Sequence, residues 1–302
     1  MNDDSQCCEP IQFGIVLKTD SVPAIQATCL MATEDTPTFK NPPIDEFVLG
    51  IQFDPLLSMQ SAHFGLFWNS LGQGWKEPRD NQPIHDTFES FGNSPGTTQQ
   101  FRLQLEASPP LPRVTFIDEN RDRVIQFQRS RFHLNWRRAE KAYPSYKSMI
   151  GEFEKKVDGL IQFCDQHNLG PVKINQWEIT YVDRFKKGEY WETPSDWGNF
   201  LPGLFQSKEL ELTTDLEMEG RSLNWSFEIR PELGRLHIQT SMVKGPTPED
   251  ESLTVNFTAR GPLHPELSPT YREGMDIGHR VSVQQFLKLV DPDILKSWGE
   301  KT

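Results

Sequence analysis

Residues 123–138 read RVIQFQRSRFHLNWRR, and the order of apolar and polar side chains within them decides the fold class. Ile125 and Phe127 alternate with Gln126 and Gln128, and Phe132, Leu134 and Trp136 alternate with Arg131, His133, Asn135 and Arg137. Alternation of this kind is the period of a strand with one buried face. The two apolar sets differ in parity, so a turn or bulge has to fall near Arg129 and Ser130. The tract therefore predicts two short strands. Their aromatic side is core, and their other side turns Gln126, Gln128, Arg131, His133, Asn135 and Arg137 outward.

The pattern continues in both directions. Upstream, Phe47, Leu49, Ile51 and Phe53 alternate along one strand, with Pro42-Pro43 before it and Asp54-Pro55 after it. Phe64, Phe67, Trp68 and Leu71 then fall at helical spacing, with Ser61 placed to cap a short helix. Residues 76–100, rich in Pro, Gly, Asn and Asp, read as a long loop, and residues 101–106 and 113–117 as strands. Downstream, Tyr143-Pro144-Ser145 opens a helix to about Asn168, with an apolar stripe from Tyr146 through Met149, Phe153, Val157 and Leu160 to Cys164. Gly170-Pro171 stops it.

The same order then recurs. Residues 174–185 form a strand with Trp177, Ile179 and Tyr181 on one face, followed by the aromatic segment DWGNFLPGLF. Strands are expected over 211–218, 223–229, 235–243 and 253–259, and a closing helix from about Ile277 to Trp298, interrupted at Asp291-Pro292. After a lead-in over residues 1–40, the halves 41–170 and 171–302 each read strand, short helix, antiparallel strands, long helix. The expectation is an α+β fold built from a duplicated unit. The halves join their strands into one curved antiparallel sheet with the long helices on a single face. The TATA-binding-protein saddle and the helix-grip fold are the analogies, and an analogy of fold does not fix function.

The tract IQFQRSRFHLNWRR, with Tyr143-Pro144 and Tyr146 after it, resembles a sporadically distributed family of bacterial proteins of about this length, whose activity is not established. PPIDEFVLGIQFDPL leading to HFGLFW, the strand NQWEITYVDRF, and the ending with His279, Phe286 and Trp298-Gly299 are similar to further blocks of that family. The resemblance covers roughly residues 41–300. It implies an accessory role, with a patchy distribution that hints at conflict with phage or mobile elements, and it supplies no catalytic residues.

Composition narrows the classes. Hydrophobic residues make up 36% and charged residues 25%, which suits a folded globular chain. The net charge of -12 opposes a non-specific nucleic-acid binder, because phosphate contacts need clustered Lys and Arg. One local exception is the stretch from Arg121 to Lys147, with eight basic and two acidic side chains. No apolar run is long enough to cross a bilayer, and the acidic start MNDDSQCCEP lacks the pattern of a signal peptide. The four cysteines show no CxxC spacing, so a reducing cytoplasm with free thiols is expected.

No cofactor or metal is expected. The seven histidines give neither HExxH nor a Cys/His ligand spacing, and there is no P-loop, GxSxG elbow or GxGxxG. Trp136 and Trp225, each preceded by Asn, read as core anchors. Glu178 and Asp183 read as partners for the basic cluster.

The leading expectation is a non-catalytic interaction or sensor protein that meets a protein partner encoded nearby through Gln126, Gln128, Arg131, His133, Asn135 and Arg137. Gln52, Gln176, Glu178, Thr180, Asn224, His237, Gln239 and Asn256 would enlarge that surface if they share its face. The alternative is a small-molecule binder or enzyme with an aromatic-lined pocket between sheet and helices. A polar-lined cavity of roughly 300 Å³ or more would favour it.

Overall fold

The alternation at 123–138 resolves into a hairpin. In the computed structural model β7 (Arg123–Gln128) pairs with β8 (Arg131–Arg137), Gln128 opposite Arg131, and Arg129-Ser130 form the two-residue turn that the parity change requires. Ile125 lies opposite Leu134 and Phe127 opposite Phe132, so both apolar sets reach the same face. The structure describes residues 37–76, 78–92, 96–99, 111–139, 142–205, 215–216, 218–247 and 250–301. The expected strand at 101–106, most of that at 211–218 and nearly all of the lead-in lie outside these residues.

In chain order, the elements before the hairpin are β1 (Thr38–Phe39), β2 (Ile44–Phe53), α1 (Ser61–Ser70), β3 (Arg79–Asn81), β4 (Thr87–Ser90), β5 (Gly96–Gln99) and β6 (Arg113–Ile117). After it come α2 (Tyr146–Gln166), β9 (Ile174–Lys186), α3 (Trp197–Phe200), β10 (Leu223–Ile229), β11 (Gly234–Val243) and β12 (Ser252–Pro262). The chain closes with α4 (Tyr271–Leu289), α5 (Pro292–Ser297) and β13 (Glu300–Lys301), which pairs with β1. Residues 76–100 are thus not a plain loop but carry β3 and the β4–β5 hairpin.

Nine strands make one antiparallel sheet in the order β10-β11-β12-β9-β2-β8-β7-β6-β3. Strands β2 and β9 lie side by side at its centre, Phe47 opposite Tyr181 and Ile51 opposite Trp177. The described residues from Pro37 onward belong to one unit, Asp35–Thr302.

Register assigns the faces. Ile125, Phe132, Leu134 and Trp136 share a side with Phe47, Leu49, Ile51, Trp177, Ile179, Tyr181, Phe257 and Ala259. Both long helices cover this side. Phe153 of α2 stacks on Phe132, and Phe67 of α1 meets Phe116, Phe127, Phe132 and Phe163, with ring centroids 4.9–6.1 Å apart. A fully buried aromatic ring contributes roughly 1.5–3 kcal/mol through the water it sheds, and edge-on ring pairs add to that.

α4 begins earlier than its apolar spacing predicts, because Thr270 and Glu273 form a reciprocal capping box. It lies directly on β9. A Cβ on Gly274 would fall 2.3 Å from the Trp177 ring, and one on Gly278 would fall 2.7 Å from Ile179. Trp136, Trp177 and Trp298 are buried as expected, whereas Trp225 sits on the outermost strand β10, half-buried against Phe227. No helix among the described residues is long and apolar enough to cross a membrane.

Candidate functional site

The register places Gln126, Gln128, Arg131, His133, Asn135 and Arg137 on the face away from the helices. Gln52, Gln176, Glu178, Thr180, Asn224, His237, Gln239 and Asn256 share that face. Alternation alone had left this sharing open. The expected open contact surface, however, is not there at four of the six residues. Gln128, Arg131, His133 and Asn135 are buried, Gln126 is half-buried, and Arg137 alone is exposed.

The covering comes from residues 84–90. Gln128 Nε2 donates to the Ile84 carbonyl at 2.7 Å, and the Ile84 amide donates back to Gln128 Oε1 at 2.9 Å. Arg131 donates to the His85 carbonyl at 3.0 Å, and Ser130 Oγ donates to Asp86 at 2.7 Å. The Thr87 amide donates to Gln52 Oε1 at 2.9 Å. Asn135 and Arg137 both donate to Glu46, and Gln126 accepts from Arg113. Gln52, Gln126, Gln128, Arg131 and Asn135, which read as solvated, are therefore bonded internally, whereas His133 Nε2 is buried without a partner.

The centre of this cluster is Glu89, on β4. Its carboxylate, fully shielded from solvent, pairs with Arg235 and accepts hydrogen bonds from Arg260 Nε at 2.6 Å and His237 Nε2 at 2.8 Å. Burial alone would raise the Glu89 carboxyl, but the bonds and charges of His237 and Arg260 overcome it and hold the group at about 2. Glu178 lies 3.5 Å from Arg260 and 3.9 Å from Arg131, the latter a member of the basic cluster it was expected to meet. Burial opposes ionisation of Glu178 as well, yet the net direction is downward. His133 is pushed down to about 4 by burial, against the pull of Glu178, and is neutral at pH 7. Arg131 and Arg260 therefore supply the charge that keeps Glu178 ionised.

Asp183 behaves differently. Register puts it on the helix side with Tyr181 and Phe185, on the opposite face from Arg131 and Arg137. It is 3% exposed, and its carboxyl has no hydrogen-bond partner among the described residues. Burial pushes it up to about 8, although the Arg138 charge pulls the other way.

Asp183 lines a cavity of about 260 Å³ between the sheet and the two long helices, with Tyr143, Tyr146, Tyr181, His279 and Ser282. Tyr181 supplies a hydroxyl 2.7 Å from His279 Nδ1, and Tyr146 stacks on the His279 ring with centroids 4.0 Å apart. The Tyr146 hydroxyl donates to Asp276 at 2.6 Å, and Arg272 ties Asp276 to Glu154 of α2. The Tyr143 hydroxyl lies beside Tyr181 but makes no hydrogen bond of acceptable geometry, and Ser282 Oγ is likewise buried without a partner. Burial pushes His279 down to about 4 and raises all three tyrosines. At neutral pH the buried titratable groups that line the cavity are accordingly uncharged, exposed Lys147 stands at its edge, and the wall is mostly apolar, with Phe257 and Phe286 in it.

A hollow of about 340 Å³ between α1 and α2 is larger, but its polar lining is the exposed side chains of Ser70, Lys155, Gln162 and Gln166 and half-buried Lys156. Among the described residues no three His, Cys, Asp or Glu side chains are grouped to hold a metal ion. Cys164 is buried and free, its thiol pushed up to about 12 by burial. No protein-family model and no curated protein matches the chain.

Proposed function

We propose that the protein binds a small organic molecule in the cavity between its sheet and its helices. The observation that carries this reading is that two hydroxyls buried without partners, those of Tyr143 and Ser282, line one cavity together with the buried residue Asp183, whose carboxyl is held in its neutral form by burial. Buried polar groups are normally hydrogen-bonded, and each one left unmet costs about 1–3 kcal/mol. Other unmatched atoms, such as Trp197 Nε1 and Ser268 Oγ, do not border this cavity. Its volume of about 260 Å³ falls slightly short of drug-sized pockets, which start at roughly 300 Å³, so the reading favours a compact ligand.

Ligand-observed NMR of the purified chain against a fragment collection tests this. Binders are expected for the wild type and are lost in Ser282→Phe, whose ring would fill the cavity. Binders equally retained by that variant would place them elsewhere.

A second reading keeps the sheet's polar face as a contact surface for a protein partner, within a bacterial accessory locus. Its support is the part of that face left open. Asn224 and Gln239 are exposed and Thr180 and Asn256 half-buried, all on one side by register, with Arg137 at the other end. An internal duplication belongs to the same reading. It is supported by the strand order, which runs outward from β2 as β8, β7, β6 and from β9 as β12, β11, β10.

A further inference from the structure

The chemistry of the cavity narrows its ligand further, an inference that rests on the small-molecule reading above. The polar groups that line the space are hydroxyls, a carboxyl and the His279 imidazole, set among aromatic rings, with Lys147 at the edge. A cation would meet Asp183, but the positive charge of Arg138 acts on the same carboxyl and Lys147 stands at the cavity's edge. Asp276, which meets the Tyr146 hydroxyl outside the lining, is already paired with Arg272. An anion would find no arginine among the described lining residues and one lysine, Lys147, which is exposed at the edge and away from the buried groups. Asp183 holds its proton at neutral pH, which makes it a donor like Tyr143. A carboxylic acid kept neutral beside a tyrosine in an apolar site is a known way to hold an oxygen that accepts two hydrogen bonds.

We propose that the ligand is an uncharged, largely aromatic or aliphatic molecule carrying a carbonyl or phenol oxygen, which accepts hydrogen bonds jointly from the Asp183 carboxyl and the Tyr143 hydroxyl. Size agrees. A cavity of roughly 150 Å³ holds benzene, and one of about 260 Å³ has room for a substituted ring. The Ser282 hydroxyl, on α4, is the second unpartnered hydroxyl and serves a further polar atom of the same molecule.

Isothermal titration with three probes of matched shape separates the possibilities: acetophenone, ethylbenzene and phenethylamine. Each neutral hydrogen bond is worth a factor of about 2–10 in affinity. Acetophenone is therefore expected to bind on the order of tenfold or more tighter than ethylbenzene. Tyr143→Phe is expected to remove several-fold of that difference, and Asp183→Asn, which keeps a donor, to retain most of it.

Equal binding of acetophenone and ethylbenzene would overturn this inference and leave the cavity reading standing. Phenethylamine as the tightest probe, lost in Asp183→Asn, would overturn it in favour of an ammonium held by an ionised Asp183. Failure of all three probes to bind would count against the cavity reading itself.

Discussion

Replacing Glu89 by alanine is expected to destabilise the protein by about 3–5 kcal/mol, the usual cost of leaving buried charges without their partner. Its carboxylate is shared by Arg235, His237 and Arg260, and the segment that carries it is what covers Gln128 and Arg131. Loss of this one side chain removes the carboxylate that Arg235 and Arg260 share, and Arg260 is left with Glu178, 3.5 Å away, which Arg131 also approaches. The sign of the pH dependence follows from the same contacts. Glu89 is held at about 2, below its ordinary 4.5, so its contribution is complete above pH 4.5 and is lost as pH falls towards 2. Urea unfolding of wild type and Glu89→Ala at pH 7, 4 and 2.5 checks this. The gap between them should narrow as the acid wild type weakens, and a constant gap would mean that the ion pairs contribute little.

Asp183→Asn should do the opposite, and over a different range. In the unfolded chain Asp183 ionises near 3.8, whereas in the folded protein it keeps its proton up to about 8. A group with a raised folded value contributes stability that is present below pH 3.8 and is progressively lost as pH rises through 8. At about 1.4 kcal/mol for each pH unit the accumulated cost reaches several kcal/mol. Asparagine fits the same space without titrating. The variant is therefore expected to match wild type near pH 4 and to exceed it by several kcal/mol at pH 9. His133 and His279, both held near 4, also make stability vary between pH 4 and 6.5, but equally in the two proteins, so the difference isolates Asp183. A variant less stable than wild type at pH 9 would show that Asp183 is satisfied by a partner. The groups around it are Tyr143, Tyr181 and Arg138, with Lys147 at the cavity's edge.

Local patterns carried much of the fold. The parity change at Arg129-Ser130 located a hairpin turn, and the apolar stripe from Tyr146 to Cys164 located α2 to within two residues of its end. The side-by-side placement of β2 and β9 is a long-range pairing that no local period encodes. The polar face was identified correctly but assigned to the wrong environment. A strand's polar side is usually wet, and nothing at Arg131 or His133 announces that residues 84–90 will cover it. Glu89 lay in a stretch whose Pro, Gly, Asn and Asp content reads as loop, so the cluster's central carboxylate was missed.

Asp183 was legible and misread. In the series Trp177, Ile179, Tyr181, Asp183, Phe185 it occupies a core position, and an acid in register with aromatics signals a buried carboxyl rather than a partner for distant arginines. Trp225 erred the other way, since an edge strand gives its inward side chains a neighbour on one flank alone. Helix spacing likewise showed Tyr143 and Tyr146 near the start of α2. It could not show that they meet His279 and Ser282 of α4 across a cavity.

The most direct measurement is a crystal structure of the full chain grown with saturating acetophenone. The account predicts the ligand between sheet and helices, its ring against Phe257 and Phe286 and its oxygen within about 3 Å of both Asp183 and Tyr143. A cavity filled by ordered water, with Asp183, Tyr143 and Ser282 all bonded to it, would contradict that account.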